Sequence, residues 1–270
     1  MTIQELEKKA KIIRADIIKM LCEAKSGHPG GSLSATDLMV ALYFEKLKHN
    51  PKNPDWVDRD RVIFSKGHVC PLLYACLAES GYFPTAELIT LRKLGSRLQG
   101  HPGRNKGLPG IELSTGSLGQ GLSAGVGMAL GFKLDKKSNR VYVLMGDGEL
   151  QEGSIWEAAM SAAHYKLDNL CGIVDVNRLQ IDGNVQDVMN VEPLPEKWRA
   201  FGFNVIEIDG HSMEQILSGY DKASQTKCQP SVIIAHTVKG KGVSFMENQA
   251  GWHGKTPNKE QAEAALKELL

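Results

Sequence analysis

The chain has 270 residues, 42% apolar and 23% charged, a composition that excludes intrinsic disorder and a length that buries a core without disulfide or metal staples. Lys plus Arg number 32 against 31 Asp plus Glu, a net charge of +1, so no general field draws the chain to nucleic acid or to an anionic membrane. No apolar run approaches the ~20 residues of a membrane span, residues 4–9 lack the apolar core of a secretory signal, and the five cysteines make no CxxC pair; together these predict a cytoplasmic protein.

Leu6, Ala10, Ile13, Ile17 and Leu21 recur at helical spacing, which predicts an amphipathic helix over about 3–25. Further helices are expected over about 35–47 and 69–80, separated by a loop at Asn50-Pro51-Lys52-Asn53-Pro54, where proline forbids helix. From 95 to 121 the chain is dense in glycine and proline, a loop long enough to suggest function. Alternation follows: apolar strands at 141–145, 171–176, 204–208 and 231–235, with helices expected over about 153–166 and 212–224. Continuous apolar strands separated by helices mean crossovers. The expected fold is α/β, one domain over 1–270: a doubly wound, mainly parallel sheet with helices on both faces and a helical N-terminal lead-in.

In such sheets ligands bind beyond the carboxyl ends of the strands. The residues there are Gly146-Asp147-Gly148-Glu149, Asn177-Arg178-Leu179-Gln180 and His236-Thr237-Val238-Lys239-Gly240. A carboxylate, an amide oxygen and a backbone carbonyl are hard donors, too few for a full cage. They suit magnesium, which keeps water and takes phosphate oxygens. The local chemistry therefore predicts a diphosphate held through a divalent metal. Taken singly, Gly-Asp-Gly is equally a tight turn and Asn177 a cap.

Gly146-Asp147-Gly148, followed after a 28-residue gap by Asn177, resembles the signature of thiamine diphosphate enzymes, and the continuation to Gly153 resembles its transketolase form. Five more segments stand in transketolase order: Ser26-Gly27-His28-Pro29-Gly30-Gly31; Arg59-Asp60-Arg61 leading to Ser65-Lys66-Gly67-His68; Gly100-His101-Pro102; Thr115 to Gly121; and Trp252-His253-Gly254-Lys255. The resemblance covers nearly the whole chain and is to the diphosphate-binding domain alone.

It implies a thiamine diphosphate-binding fold and a residue-by-residue site. Asp147, Asn177 and the Leu179 carbonyl would hold magnesium, with calcium or manganese able to substitute. His68, Gly148, Asn177, His253 and Lys239 would contact the diphosphate; Gly116, Ser117 and Leu118 would line the aminopyrimidine, and Ile181 would pack near the thiazolium. His28, His101 and His253 would be catalytic, surrounding the donor sugar's oxygens, and Glu152 and Glu157 resemble the carboxylates through which paired sites of the family face one another. Ser117 and Lys66 depart from the common proline and asparagine of the family. The glutamate that activates the cofactor lies in a second domain of the family, beyond Leu270, and so do the main sugar-phosphate anchors.

The resemblance therefore implies the N-terminal subunit of a split transketolase of pentose phosphate metabolism. It would move a two-carbon ketol unit from a ketose phosphate to an aldose phosphate, together with a C-terminal subunit that binds the pyrimidine, in an assembly with two copies of each chain. Deoxyxylulose phosphate synthase is the related alternative. A dinucleotide-binding oxidoreductase is the more distant one, because Gly119-Gln120-Gly121-Leu122-Ser123-Ala124 satisfies GxGxxA, although no clean strand precedes it.

Overall fold

Thr2 starts the first helix: its hydroxyl accepts from the Glu5 amide while the Glu5 carboxylate accepts from the Thr2 amide, a reciprocal cap on two otherwise free donors. The computed structural model describes residues 1–270, and from this cap α1 runs over Ile3–Ala24 with its predicted apolar stripe buried. The single helix expected over 35–47 is instead three pieces: α2 (Pro29–Ser34), α3 (Thr36–Ala41) and a wide turn at Leu42–Lys46. Hydroxyls bend it: Ser32 donates back to the His28 carbonyl at 2.7 Å and Thr36 to the Ser32 carbonyl at 2.9 Å. The next predicted helix is α4, Cys70–Glu79.

Five parallel strands make the sheet: β1 (Arg61–Phe64), β2 (Val141–Gly146), β3 (Leu170–Val176), β6 (Asn204–Asp209) and β7 (Ser231–His236), in the order β1-β2-β3-β7-β6. Two short strands, β4 (Leu179–Gln180) and β5 (Gly183–Asn184), pair separately as an antiparallel turn. Four sheet strands fall where the sequence places them; β1 does not come from the sequence pattern. Alternation along the strands feeds two cores. Phe64, Tyr142, Leu144, Ile173 and Ile233 enter the larger one, with α1 to α4, α9 (Met213–Gln225) and α10 (Lys259–Leu269). Ile63, Val143, Met145, Val174 and Ile234 enter the smaller one, with α5 (Gln120–Leu134), α6 (Gly153–His164) and α8 (Leu194–Ala200). The remaining helix, α7 (Val185–Met189), follows β5.

Helices thus cover both faces, and the carboxyl ends of the strands stay open. The Gly-rich α5 lies close on β2: a Cβ on Gly125 would stand 2.6 Å from Val143 Cγ2. No helix is long and apolar enough to cross a membrane.

Candidate cofactor cleft

Beyond the ends of β1, β2, β3 and β7 lies a cleft of about 390 Å³. Its floor is built by three strand ends. Asp147, just past β2, is 3% exposed; its Oδ1 accepts from the Gly148 amide at 2.9 Å and Oδ2 from the Arg178 amide at 2.6 Å. Asn177, just past β3, turns its Nδ2 to Asp175 at 3.1 Å, which leaves Oδ1 to accept only the Leu179 amide at 3.2 Å. Lys239, past β7, donates to the Leu179 carbonyl at 2.8 Å and meets His253 Nδ1 at 3.0 Å.

At the other end four imidazoles converge. His28 lies 5.1 Å from His68, 5.4 Å from His253 and 6.4 Å from His101, ring centre to ring centre, and His68 lies 5.2 Å from His253. Burial, and then positive neighbours, push all four below the ordinary histidine value. His28 falls to about 4, with Arg92 the largest charge acting on it, and His253 to about 3 beside Lys239. His68 is lowered well below it and His101 less so. All four are neutral at pH 7, the state in which imidazole both donates and accepts a proton.

Gly116, Leu118, Gly148 and Ile181 also line the cleft, the last 70% exposed on the β4–β5 turn. Ser117 sits exposed on a bend between two lining residues, Gly116 and Leu118. Glu152 is at the cleft edge, whereas Glu157 is outside it, and both are exposed in this chain.

Sequence reading missed two parts. Lys66, treated only as a departure, is 3% exposed and forms an ion pair with Asp175. Asp175 also accepts from Ser34 at 2.5 Å and from Thr237; burial pushes its carboxyl up, but Lys66 and these hydroxyls outweigh burial and hold it low. A charged residue in the middle of an apolar strand was the available signal. Glu149, 2% exposed, ties three loops together by accepting from Ser65, the Gly119 amide at 2.9 Å and the Gly146 amide at 3.1 Å. The Gly119–Ala124 motif opens α5 after a loop rather than a strand, and its first amide is spent on Glu149, which removes the dinucleotide reading.

The donors fit a metal-bound diphosphate. Asp147 has no cation within ion-pair distance, and burial followed by the Asp175 charge pushes its carboxyl up to about 6, an imbalance that a divalent ion would relieve. The ammonium of Lys239 already occupies the Leu179 carbonyl as a cation would. No cluster of three His, Cys, Asp or Glu has metal-binding geometry, so the set depends on amide and carbonyl oxygens, which suits magnesium and not zinc. At the histidine end, His28 Nδ1 is buried with no partner.

A parallel α/β sheet whose strand-end loops present Gly-Asp-Gly, Asn177 and a ring of neutral imidazoles defines a cofactor-dependent enzyme of the thiamine diphosphate-binding fold. Residues 5–270 match the family described as transketolase, thiamine diphosphate binding domain. The chain is 45% identical over 269 residues to an apulose-4-phosphate transketolase subunit of Phocaeicola vulgatus, covering all of this chain and 95% of that one. It is also 45% identical over 265 residues to a 6-deoxy-6-sulfo-D-fructose transketolase subunit of Clostridium sp. (strain MSTE9), covering 98% of this chain and 96% of that one. The crystal structure of transketolase from Campylobacter jejuni superposes with a TM-score of 0.94 at 38% identity, over the whole of this chain and 43% of that one. The chain belongs to the transketolase thiamine diphosphate-binding domain family. It spans less than half of the solved transketolase, and its similarity to the separate transketolase subunits runs end to end.

Proposed function

We propose that this chain is the cofactor-binding subunit of a two-chain transketolase that moves a two-carbon ketol unit from a ketose phosphate to an aldose phosphate. One observation carries the reading: a partnerless, buried His28 Nδ1 among four neutral imidazoles, in the same cleft as a buried Asp147 without a counter-cation. Thiamine diphosphate, when bound, supplies the carbon nucleophile and the electron sink for carbon–carbon cleavage. Asp147, the Asn177 amide oxygen and the Leu179 carbonyl hold magnesium, or calcium or manganese in its place. Lys239, His68, Asn177 and Gly148 border the diphosphate, and His253 bridges this end and the other. Gly116, Leu118 and Ile181 give the walls against which the rings rest. His28, His101 and His253, neutral at working pH, pass protons to and from the hydroxyl and carbonyl oxygens of the donor sugar.

The relatives of this chain's own length, each named as one subunit of a transketolase, support a partner polypeptide, which would carry the activating glutamate. Two copies of each chain accord with the preference for closed symmetry, and the exposed Glu152 at the cleft edge suits paired sites. Five unpaired cysteines suit a reducing cytoplasm, and the substrate class suits pentose phosphate metabolism. Mixing the purified chain with its partner and measuring transfer between pentose phosphates tests the whole, with mass followed by light scattering. Transfer is expected only from the mixture, at a mass of two copies of each chain. Robust transfer by this chain alone would overturn the two-chain reading.

A further inference from the structure

Gly100 and Ser26 stand in the motifs but have no part in the cofactor site, and one residue accounts for both. Arg92 is not on the cleft wall; it lies behind it. Its Nη1 donates to Ser26 Oγ at 2.9 Å and its Nη2 to the Gly100 carbonyl at 3.3 Å, so one guanidinium joins the Ser26–His28 turn to the Gly100–His101 turn. The backbone is shaped for this. Arg92 has φ of +59°, a left-handed conformation rare outside glycine, and its amide is fixed by the Leu98 carbonyl at 2.8 Å. Space is left on the far side: a Cβ on Gly100 would stand 2.6 Å from Arg92 Cζ, so glycine there admits the guanidinium.

We propose that Arg92 is a positioning residue that clamps the two loops and fixes the spacing of His28 and His101 at the donor-sugar end of the cleft. The role rests on the cleft reading given above. A planar fork suits it, because two acceptors on different loops are held by one rigid group, which lysine does not reproduce. Arg92 has no carboxylate within ion-pair distance, so its charge reaches both rings. After burial it is the largest influence keeping each of them neutral; the other groups around His28 are His101, Lys239, His68 and His253.

The test uses this chain assembled with its partner, in the variants Arg92→Lys, Arg92→Met and Ser26→Ala. Affinity for thiamine diphosphate with magnesium, by calorimetry, is expected to stay within about twofold, because Arg92 touches nothing at the diphosphate end. Turnover in both arginine variants should fall by up to about 10²-fold, the cost of misplacing groups by roughly 1 Å. Ser26→Ala, which removes one arm, should lose less. The pH profile separates position from charge: Arg92→Met should move the acid limb of kcat/KM to higher pH, and Arg92→Lys should leave it in place while still losing kcat. Wild-type kcat in both arginine variants would overturn the clamp, as would a loss of cofactor affinity parallel to the loss of kcat. If Arg92→Met does not fold, Arg92→Lys and Ser26→Ala decide on the same readouts. Full turnover in His28→Ala and His101→Ala would overturn the cleft reading and the clamp together. Loss there beside normal Arg92 variants would overturn the clamp alone.

Discussion

Two buried charge networks in this chain follow opposite rules. Between α1, α3 and the turn after β6, Asp37 accepts both arms of Arg14 at 2.8 and 2.7 Å and the Nδ1–H of His211 at 2.7 Å. His211 Nε2 in turn accepts the Val238 amide at 2.8 Å, which settles its tautomer. Burial pushes the Asp37 carboxyl up, but Arg14 and His211 outweigh it and hold it down at about 2. At the cleft, Asp147 is as deeply buried and has only backbone amides, and it is pushed up to about 6; Lys239, also buried, is pushed down to about 8 by burial and Lys66. The first network is closed in charge, with only Arg14 Nε left buried and unpartnered, and it anchors Val238, beside Lys239. The second keeps its valences for a ligand, at some expense of stability in the empty chain.

The open network gives the largest expected effects. Asp147→Ala should abolish magnesium-dependent binding of thiamine diphosphate while the fold survives, because water does not replace the one carboxylate of a hard-cation site at equal strength. Calorimetry with and without magnesium on the assembled enzyme measures this, and unchanged affinity would remove Asp147 from the site. His28→Ala should keep cofactor binding and lose turnover by roughly 10²–10⁴-fold, the range for a proton-transfer group. His253→Ala should lose turnover and some cofactor affinity as well, since His253 also meets Lys239. Near wild-type turnover in His28→Ala would make that ring structural.

The closed network should respond in stability instead. Asp37→Ala leaves Arg14 buried without its partner and should cost about 3–5 kcal/mol in denaturant unfolding. Its pH sign follows from a folded value held below the ordinary carboxylate value of 3.8. The stabilisation is fully present above about pH 4 and fades as pH falls through about 2. An Asp37→Ala variant that loses stability equally at pH 7 and pH 2 would show that packing, not the ion pair, was lost.

The contrast between the networks is also the contrast between what one sequence discloses and what it hides. The apolar runs of β2, β3, β6 and β7 and the stripe of α1 are legible because burial on one or both faces leaves a local period. β1 is not, because four residues between Asp60 and Ser65 carry no period, and its register with β2 is fixed from outside by Asp60, which accepts the Lys48 amide at 3.0 Å and the Arg140 amide at 2.8 Å. α5 is not among the helices read from periodicity, since its glycines dilute the apolar stripe, yet Gly121 and Gly125 are where the helix presses on Ser65 and Val143. In the site, residues that would touch ligand stand in short motifs. Those that hold them, Arg92 for Ser26 or Lys66 for Asp175, meet only across long stretches of chain. Neither end of such a pair marks the other.

The smallest expected effect is the most direct test of the comparison, because it predicts opposite signs for two buried aspartates. Without metal or cofactor, ionised Asp147 at neutral pH is a buried charge that Asp175 repels, and backbone amides and the Lys66 charge only partly offset its burial. Asp147→Asn keeps the shape and removes the charge. The Gly148 and Arg178 amides donate to different carboxylate oxygens, so only one of them keeps an acceptor, while Lys66 remains paired with Asp175. Removing the buried charge outweighs the one hydrogen bond lost, so the free chain should gain stability, on the order of 1 kcal/mol. Asp37→Asn, where Arg14 stands opposite, should lose stability under the same conditions. Adding thiamine diphosphate and magnesium should reverse the order of wild type and Asp147→Asn, since only the wild type is stabilised by binding. Thermal unfolding of the three proteins at pH 7, with and without ligands, measures all of this. A destabilised Asp147→Asn chain in the absence of ligands would mean that the cleft network is as closed as the other, and the distinction between them would fall.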